Sequence, residues 1–124
     1  MKLRIYGDSI RLRLRQPEVR ALLEEAFVEQ STAFSAGVEL KYRLELGGEA
    51  VRASFDARQL RVSIPRELAK RWASTDEVGI TADQFVEEGR SLRILIEKDF
   101  ACKDGGNGES QEGAFENPEG SGKC

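Results

Sequence analysis

The sequence contains no histidine, and that absence removes a great deal of chemistry. Without an imidazole there is no nucleophile–histidine pair, no histidine metal ligand and no side chain whose ordinary titration falls near neutrality. Cysteine is scarce as well. Cys102 and Cys124 stand at the end of the apolar-patterned region and at the last residue, a separation that does not match a metal site. Two free thiols are expected, with a disulfide closing the tail or joining two chains as the alternative. No apolar run approaches the ~20 residues that span a bilayer, and Met1-Lys2 leads directly into a strand pattern with no apolar leader. No membrane association and a cytoplasmic location are therefore expected. No glycine-rich run leads to Lys-Ser or Lys-Thr, so a Walker-type phosphate loop is missing, and no cofactor is expected. Aromatics make up only 7%. Stacking on single-stranded nucleic acid needs aromatics among the bases. Only Tyr6 shares a strand face with Lys2 and Arg4, so nucleic acid is disfavoured as a partner.

Alternation is what the sequence has in quantity. Leu3 to Leu12 reads as a hairpin turning at Gly7-Asp8, which sets Ile5 opposite Ile10 and Leu3 opposite Leu12. A second hairpin is expected at Gly47-Gly48, with Leu44 facing Val51, Tyr42 facing Ala53 and Leu40 facing Phe55. A third turns at Ala57-Arg58 and pairs Phe55 with Leu60, Ala53 with Val62 and Val51 with Ile64. Pro17 suits the first turn of a helix, and Val19, Leu22, Leu23, Ala26 and Phe27 follow at helical spacing. Val28 to Phe34 is a weaker strand and Val38 to Leu46 a strong one. Pro65 opens a second helix with Leu68, Ala69 and Trp72 inward. Val78 to Ala82 and Leu92 to Phe100 are strands, and Asp83 to Ser91 is open between strand and loop.

This order, ββαββ twice, implies an internal duplication. The fold class expected is α+β: an antiparallel sheet of about eight strands with two helices, as a closed barrel or as a curved open sheet. One domain covers residues 1–102. Residues 103–124 form an acidic Gly/Glu-rich tail with Phe115 as its one large apolar residue, a composition expected to be disordered. The tail holds five acids and two lysines. The whole chain carries −3, so the body is balanced at 17 bases and 17 acids.

The strand positions that alternate with the apolar set are unbalanced. They hold Lys2, Arg4, Arg11, Arg13, Arg15, Lys41, Arg43, Arg52, Arg61 and Arg93 against Glu39, Glu45 and Glu97. Arginine forks suit phosphate and carboxylate, and a surface of one sign recruits anions. The expected function is a non-catalytic binding or interaction module that presents Arg11, Arg13, Arg43, Arg52, Arg61 and Arg93 on one sheet face. Its ligand would be a small anionic or phosphate-containing molecule, or an acidic protein surface. The bland alternative is a solvated sheet face.

The opening Lys2-Leu3-Arg4-Ile5-Tyr6-Gly7-Asp8-Ser9-Ile10-Arg11-Leu12-Arg13-Leu14, with the ending Leu92-Arg93-Ile94-Leu95-Ile96-Glu97-Lys98-Asp99-Phe100-Ala101-Cys102, resembles a family of small uncharacterised bacterial proteins. That resemblance implies a bacterial cytosolic protein and carries no activity. The duplicated architecture is similar to the CYTH, or triphosphate-tunnel, superfamily. Its members bind triphosphates through basic side chains and hold a divalent metal on a Glu-x-Glu-x-Lys strand. Here the first strand presents Lys2, Arg4 and Tyr6 with no glutamate, and Glu39-x-Lys41 and Arg93-x-Leu95-x-Glu97 are fragments of that motif. This resemblance implies, as an alternative function, a metal-dependent triphosphate phosphohydrolase with Glu39, Glu45 and Glu97 as metal holders. A third reading is a structural partner protein acting through its C-terminal tail.

Overall fold

Ten elements follow one another in the order ββαββ ββαββ. They are β1 (Lys2–Ile5), β2 (Ser9–Leu14), α1 (Gln16–Glu25), β3 (Phe27–Ser35), β4 (Val38–Leu46), β5 (Arg52–Asp56), β6 (Gln59–Ile64), α2 (Arg66–Ser74), β7 (Gly79–Glu87) and β8 (Arg90–Lys98). The computed structural model describes residues 1–100. The expected tail and both cysteines lie outside the described residues.

The strands form two four-stranded sheets, β1-β2-β8-β7 and β3-β4-β6-β5, called sheet A and sheet B below. This corrects the expectation of one antiparallel sheet and of a closed barrel. Each sheet is mixed, because β2 pairs with β8 in parallel and β4 pairs with β6 in parallel. The duplication is explicit in the topology. β2 and β6 start 50 residues apart (9 and 59), as do α1 and α2 (16 and 66); β3 and β7 (27 and 79) and β4 and β8 (38 and 90) start 52 apart. Under that equivalence the β2–β8 pair maps onto the β6–β4 pair. Each half sends its first hairpin to one sheet and its second to the other.

The first and third hairpins form as expected, with Leu3 opposite Leu12, Ile5 opposite Ile10, Ala53 opposite Val62 and Phe55 opposite Leu60. The third turn is built from Ala57 and Arg58, both with positive φ (48° and 64°), the conformation of a two-residue turn between twisted strands. The expected second hairpin does not exist. β6 lies between β4 and β5, and Leu44 faces Val62 rather than Val51. Gly47 and Gly48, with φ of 150° and 82°, lead the chain over the end of β6, where the Gly47 N–H donates to the Ile64 carbonyl at 2.8 Å.

The inward faces of both sheets and one side of each helix share one apolar core. Leu12, Leu14, Ile94 and Ile96 come from sheet A, Leu44, Val62 and Ile64 from sheet B, and Leu22, Ala69 and Trp72 from the helices. No polar or charged residue is buried among the described residues. Trp72 is fully buried and still satisfied, since its indole N–H donates to the Val78 carbonyl at 3.1 Å. α1 opens as Pro17 predicts, and the Arg15 N–H donates to Glu18 at 2.9 Å. It stops at Ala26, whose φ of 75° is left-handed. Phe27 therefore leaves the helix face on which its spacing places it and begins β3.

Side chains, not ladders, join the sheets at their edges. The Ala53 N–H on β5 donates to Gln84 Oε1 on β7 at 2.7 Å, and Gln84 Nε2 donates to the Ala53 carbonyl at 2.9 Å. One side-chain amide thus acts toward the β5 edge as a further strand residue would. At the other seam the Met1 ammonium contacts Glu18 and Gln30, and the Tyr42 hydroxyl donates to the Met1 carbonyl at 3.3 Å.

Candidate functional site

The six arginines expected on one face are divided between two. Arg11, Arg13 and Arg93 belong to sheet A, and Arg43, Arg52 and Arg61 to sheet B. Alternation sets which side of a strand a residue occupies, but not which sheet the strand joins. The three glutamates are divided as well. Glu97 is on β8 in sheet A, while Glu39 and Glu45 are on β4 in sheet B. Among the described residues no group of three or more metal-ligating side chains forms.

The internal duplication makes each outer face a control for the other. On sheet B the charge is balanced. Lys41, Arg43, Arg52 and Arg61 share the face with Glu29, Glu39, Glu45 and Asp56. Arg43 sits between two carboxylates, 2.7 Å from Glu45 and 3.0 Å from Glu29, and stacks 3.9 Å above the Phe27 ring. The hydrogen bond to Glu45 leads in raising the Arg43 pKa; partial burial opposes it, and Glu29 adds to it. Arg61 approaches Glu45 at 3.5 Å. Arg43, Arg61, Glu29 and Glu45 thus form a network of opposite charges on this face.

Sheet A departs from it at the equivalent positions. Where β5 and β6 have Ser54 and Ser63, β1 and β2 have Arg4 and Arg13. The result is a hairpin on which Lys2 directly faces Arg13 and Arg4 directly faces Arg11. Like charges directly opposite across a ladder are destabilising. Where β4 has Arg43, β8 has Leu95, and where β3 has Glu29, β7 has Thr81. Glu97 is shared, 3.4 Å from Arg11 and 3.9 Å from Arg13. Arg93 pairs with Asp83 at 3.2 Å, and Lys2 with Asp99 at 3.3 Å. Among the described residues, the outer face of sheet A between its hairpin tips carries five bases, Lys2, Arg4, Arg11, Arg13 and Arg93, against Asp83, Glu97 and, just past β8, Asp99.

A shallow concavity of about 260 Å³ lies on this face, lined by Arg4, Tyr6, Ser9, Arg11 and Leu95. Two guanidinium groups and two hydroxyls surround an aliphatic floor, a donor-rich arrangement with no carboxylate in its lining. The end of the hairpin is braced by Arg90, which holds Asp8 through contacts of 2.9 and 3.2 Å. That hydrogen bonding, and then the guanidinium charge, hold the Asp8 carboxyl below its ordinary pKa.

The sequence of this protein matches the profile of a family described as a family of unknown function, DUF7009, over residues 1–119. The chain belongs to that family. No curated protein and no solved structure matches it. In this DUF7009 chain, Arg4 and Lys2 lie directly opposite the expected Arg11 and Arg13 across the hairpin. The signal for ranking them higher was present, since the Gly7-Asp8 register already places both opposite other bases. The acids that neutralise Arg43 and Arg93 were missed for a different reason. Glu29 stood on a strand with no clear alternation, and Asp83 in a segment left open between strand and loop. Among the described residues, no helix is long and apolar enough to cross a membrane.

Proposed function

We propose that this protein is a non-catalytic binding module that takes a small phosphate-bearing anion on the outer face of sheet A, through Arg4, Arg11 and Arg13 with Lys2. The observation that carries this reading is the pair of directly opposed basic residues on the β1–β2 hairpin, at a place where the equivalent hairpin of sheet B alternates arginine with serine. An anion between opposed guanidinium groups can accept charge-assisted hydrogen bonds from both. Tyr6, Ser9 and Leu95 line the same concavity and suit a ligand with both an anionic and an apolar part.

Thermal denaturation of the full chain with tripolyphosphate, nucleoside triphosphates and inorganic phosphate tests the proposal, because a ligand of the native state raises Tm by mass action. A rise that shrinks with added salt is expected. Arg11→Ala should weaken binding about tenfold, the size of one lost charged hydrogen bond. Arg61→Ala, on the equivalent position of sheet B, should leave the rise intact. Equal losses in the two variants, or no rise with any anion, would remove the site from sheet A.

A further inference from the structure

A larger concavity than that of the basic face lies elsewhere, where the described chain ends. A cleft of about 910 Å³ opens between α1 and the C-terminal end of α2, and Phe100 forms part of its wall. Its floor is apolar, made by Leu14, Val19, Leu23 and Ala73. The charges at its rim are Arg20 and Lys98 against Asp76 and Asp99. Lys98 donates to the Thr75 carbonyl at 2.7 Å and Asp99 is engaged by Lys2. Arg20 and Asp76 make no ion pair among the described residues.

We propose that the occupant of this cleft is the chain's own segment Ala114-Phe115-Glu116-Asn117-Pro118, with the Phe115 ring on the floor and Glu116 toward Arg20. Four observations converge on it. Phe115 is the one large apolar residue in residues 101–124, so this stretch offers a single anchor, and the cleft offers an apolar floor that no described residue covers. Phe115 follows Phe100 by 15 residues. A glycine-rich connection of that length spans about 20 Å root-mean-square, enough to return across the cleft from its own wall. Glu116 follows the ring directly and Glu112 precedes it by three residues, so an acid beside the ring can be set against Arg20 and away from Asp76 on the balanced rim. The family match runs to residue 119 and so includes the segment together with the body. Tethering raises the effective concentration of such a segment to the millimolar range, so one ring and one ion pair suffice to hold it.

The inference does not need the basic face to bind an anion, so it stands or falls apart from the anion site. Methyl-resolved NMR on the full chain tests it. The Phe115 ring protons should give cross-peaks to the Val19 and Leu23 methyls, and these methyl signals should move in Phe115→Ala. Phe115→Leu should restore part of their positions. The Tm of Phe115→Ala should fall by roughly 4–8 °C, the shift expected for one buried anchor in a domain of this size. Methyl signals that are the same in the wild type and Phe115→Ala, without cross-peaks, would overturn the proposal. Cross-peaks that vanish on dilution would assign the cleft to a second copy and overturn it equally.

Discussion

Glu18 shows how one residue serves three neighbours. It accepts from the Arg15 backbone, contacts the Met1 ammonium and sits in the first turn of α1. Burial alone would raise its pKa, but the ammonium and the Arg15 N–H outweigh that and hold it below the ordinary 4.5. A carboxylate with a depressed folded pKa contributes stability that is present above its unfolded value and is lost as pH falls through the folded one. Glu18→Gln is therefore expected to cost about 1 kcal/mol at neutral pH, at the low end for a charged hydrogen bond because part of the carboxylate stays in water. Urea titrations of both proteins should show that gap closing only below pH 4.5. A gap that persists in acid would mean the loss is one of shape rather than charge. Arg4 makes the opposite case. Arg4→Glu places a carboxylate across the ladder from Arg11 and should abolish the anion-dependent rise in Tm. An anion response that survives in Arg4→Glu would remove Arg4 from the site.

At the scale of elements, the exposed edges explain how two four-stranded sheets remain a pair. β5 and β7 are edge strands, and an open edge is a template for foreign strands. Gln84 closes part of that edge with two backbone hydrogen bonds. Gln84→Ala leaves a half-buried N–H and carbonyl unmet and should cost about 1–3 kcal/mol, with faster amide exchange at Ala53 as the local readout. Unchanged exchange there would show that water replaces the amide without loss. The elements themselves were largely legible. The turns at Gly7-Asp8 and Ala57-Arg58, the strand Val38–Leu46 and the inward set of α2 follow from alternation and from the prolines. Ala26 concealed the end of α1, because a left-handed stop at a residue other than glycine leaves no mark in composition. Phe27 consequently looked like a helix-face residue, and its stacking under Arg43 depends on a strand beginning one residue earlier than the spacing suggested.

For the whole molecule, the consequence of the topology is interlocking. Each sheet takes one hairpin from each half and joins the two by a parallel pair, so neither half contains a complete sheet or a complete core. Residues 1–48 and residues 49–124, produced separately, should each lack a cooperative melt. Mixed one to one, they should recover a single transition and the near-UV signal of the buried Trp72. A cooperative, concentration-independent melt from one half alone would contradict that dependence.

The sequence determined the periodicity, and with it the number, kind and order of elements, because alternation and helical spacing are local and each strand must turn its apolar side away from water. It also determined which arginines lie opposite the core side. The partners of the strands were a tertiary decision. Leu44 is buried equally well facing Val51 across a hairpin or Val62 across a parallel ladder, so hydrophobic parity does not distinguish the two. Two sheets formed instead of one because β6 entered between β4 and β5 and β8 beside β2. That pairing divided the arginines, left the sheet B face balanced in charge, and set bases directly opposite bases on β1 and β2.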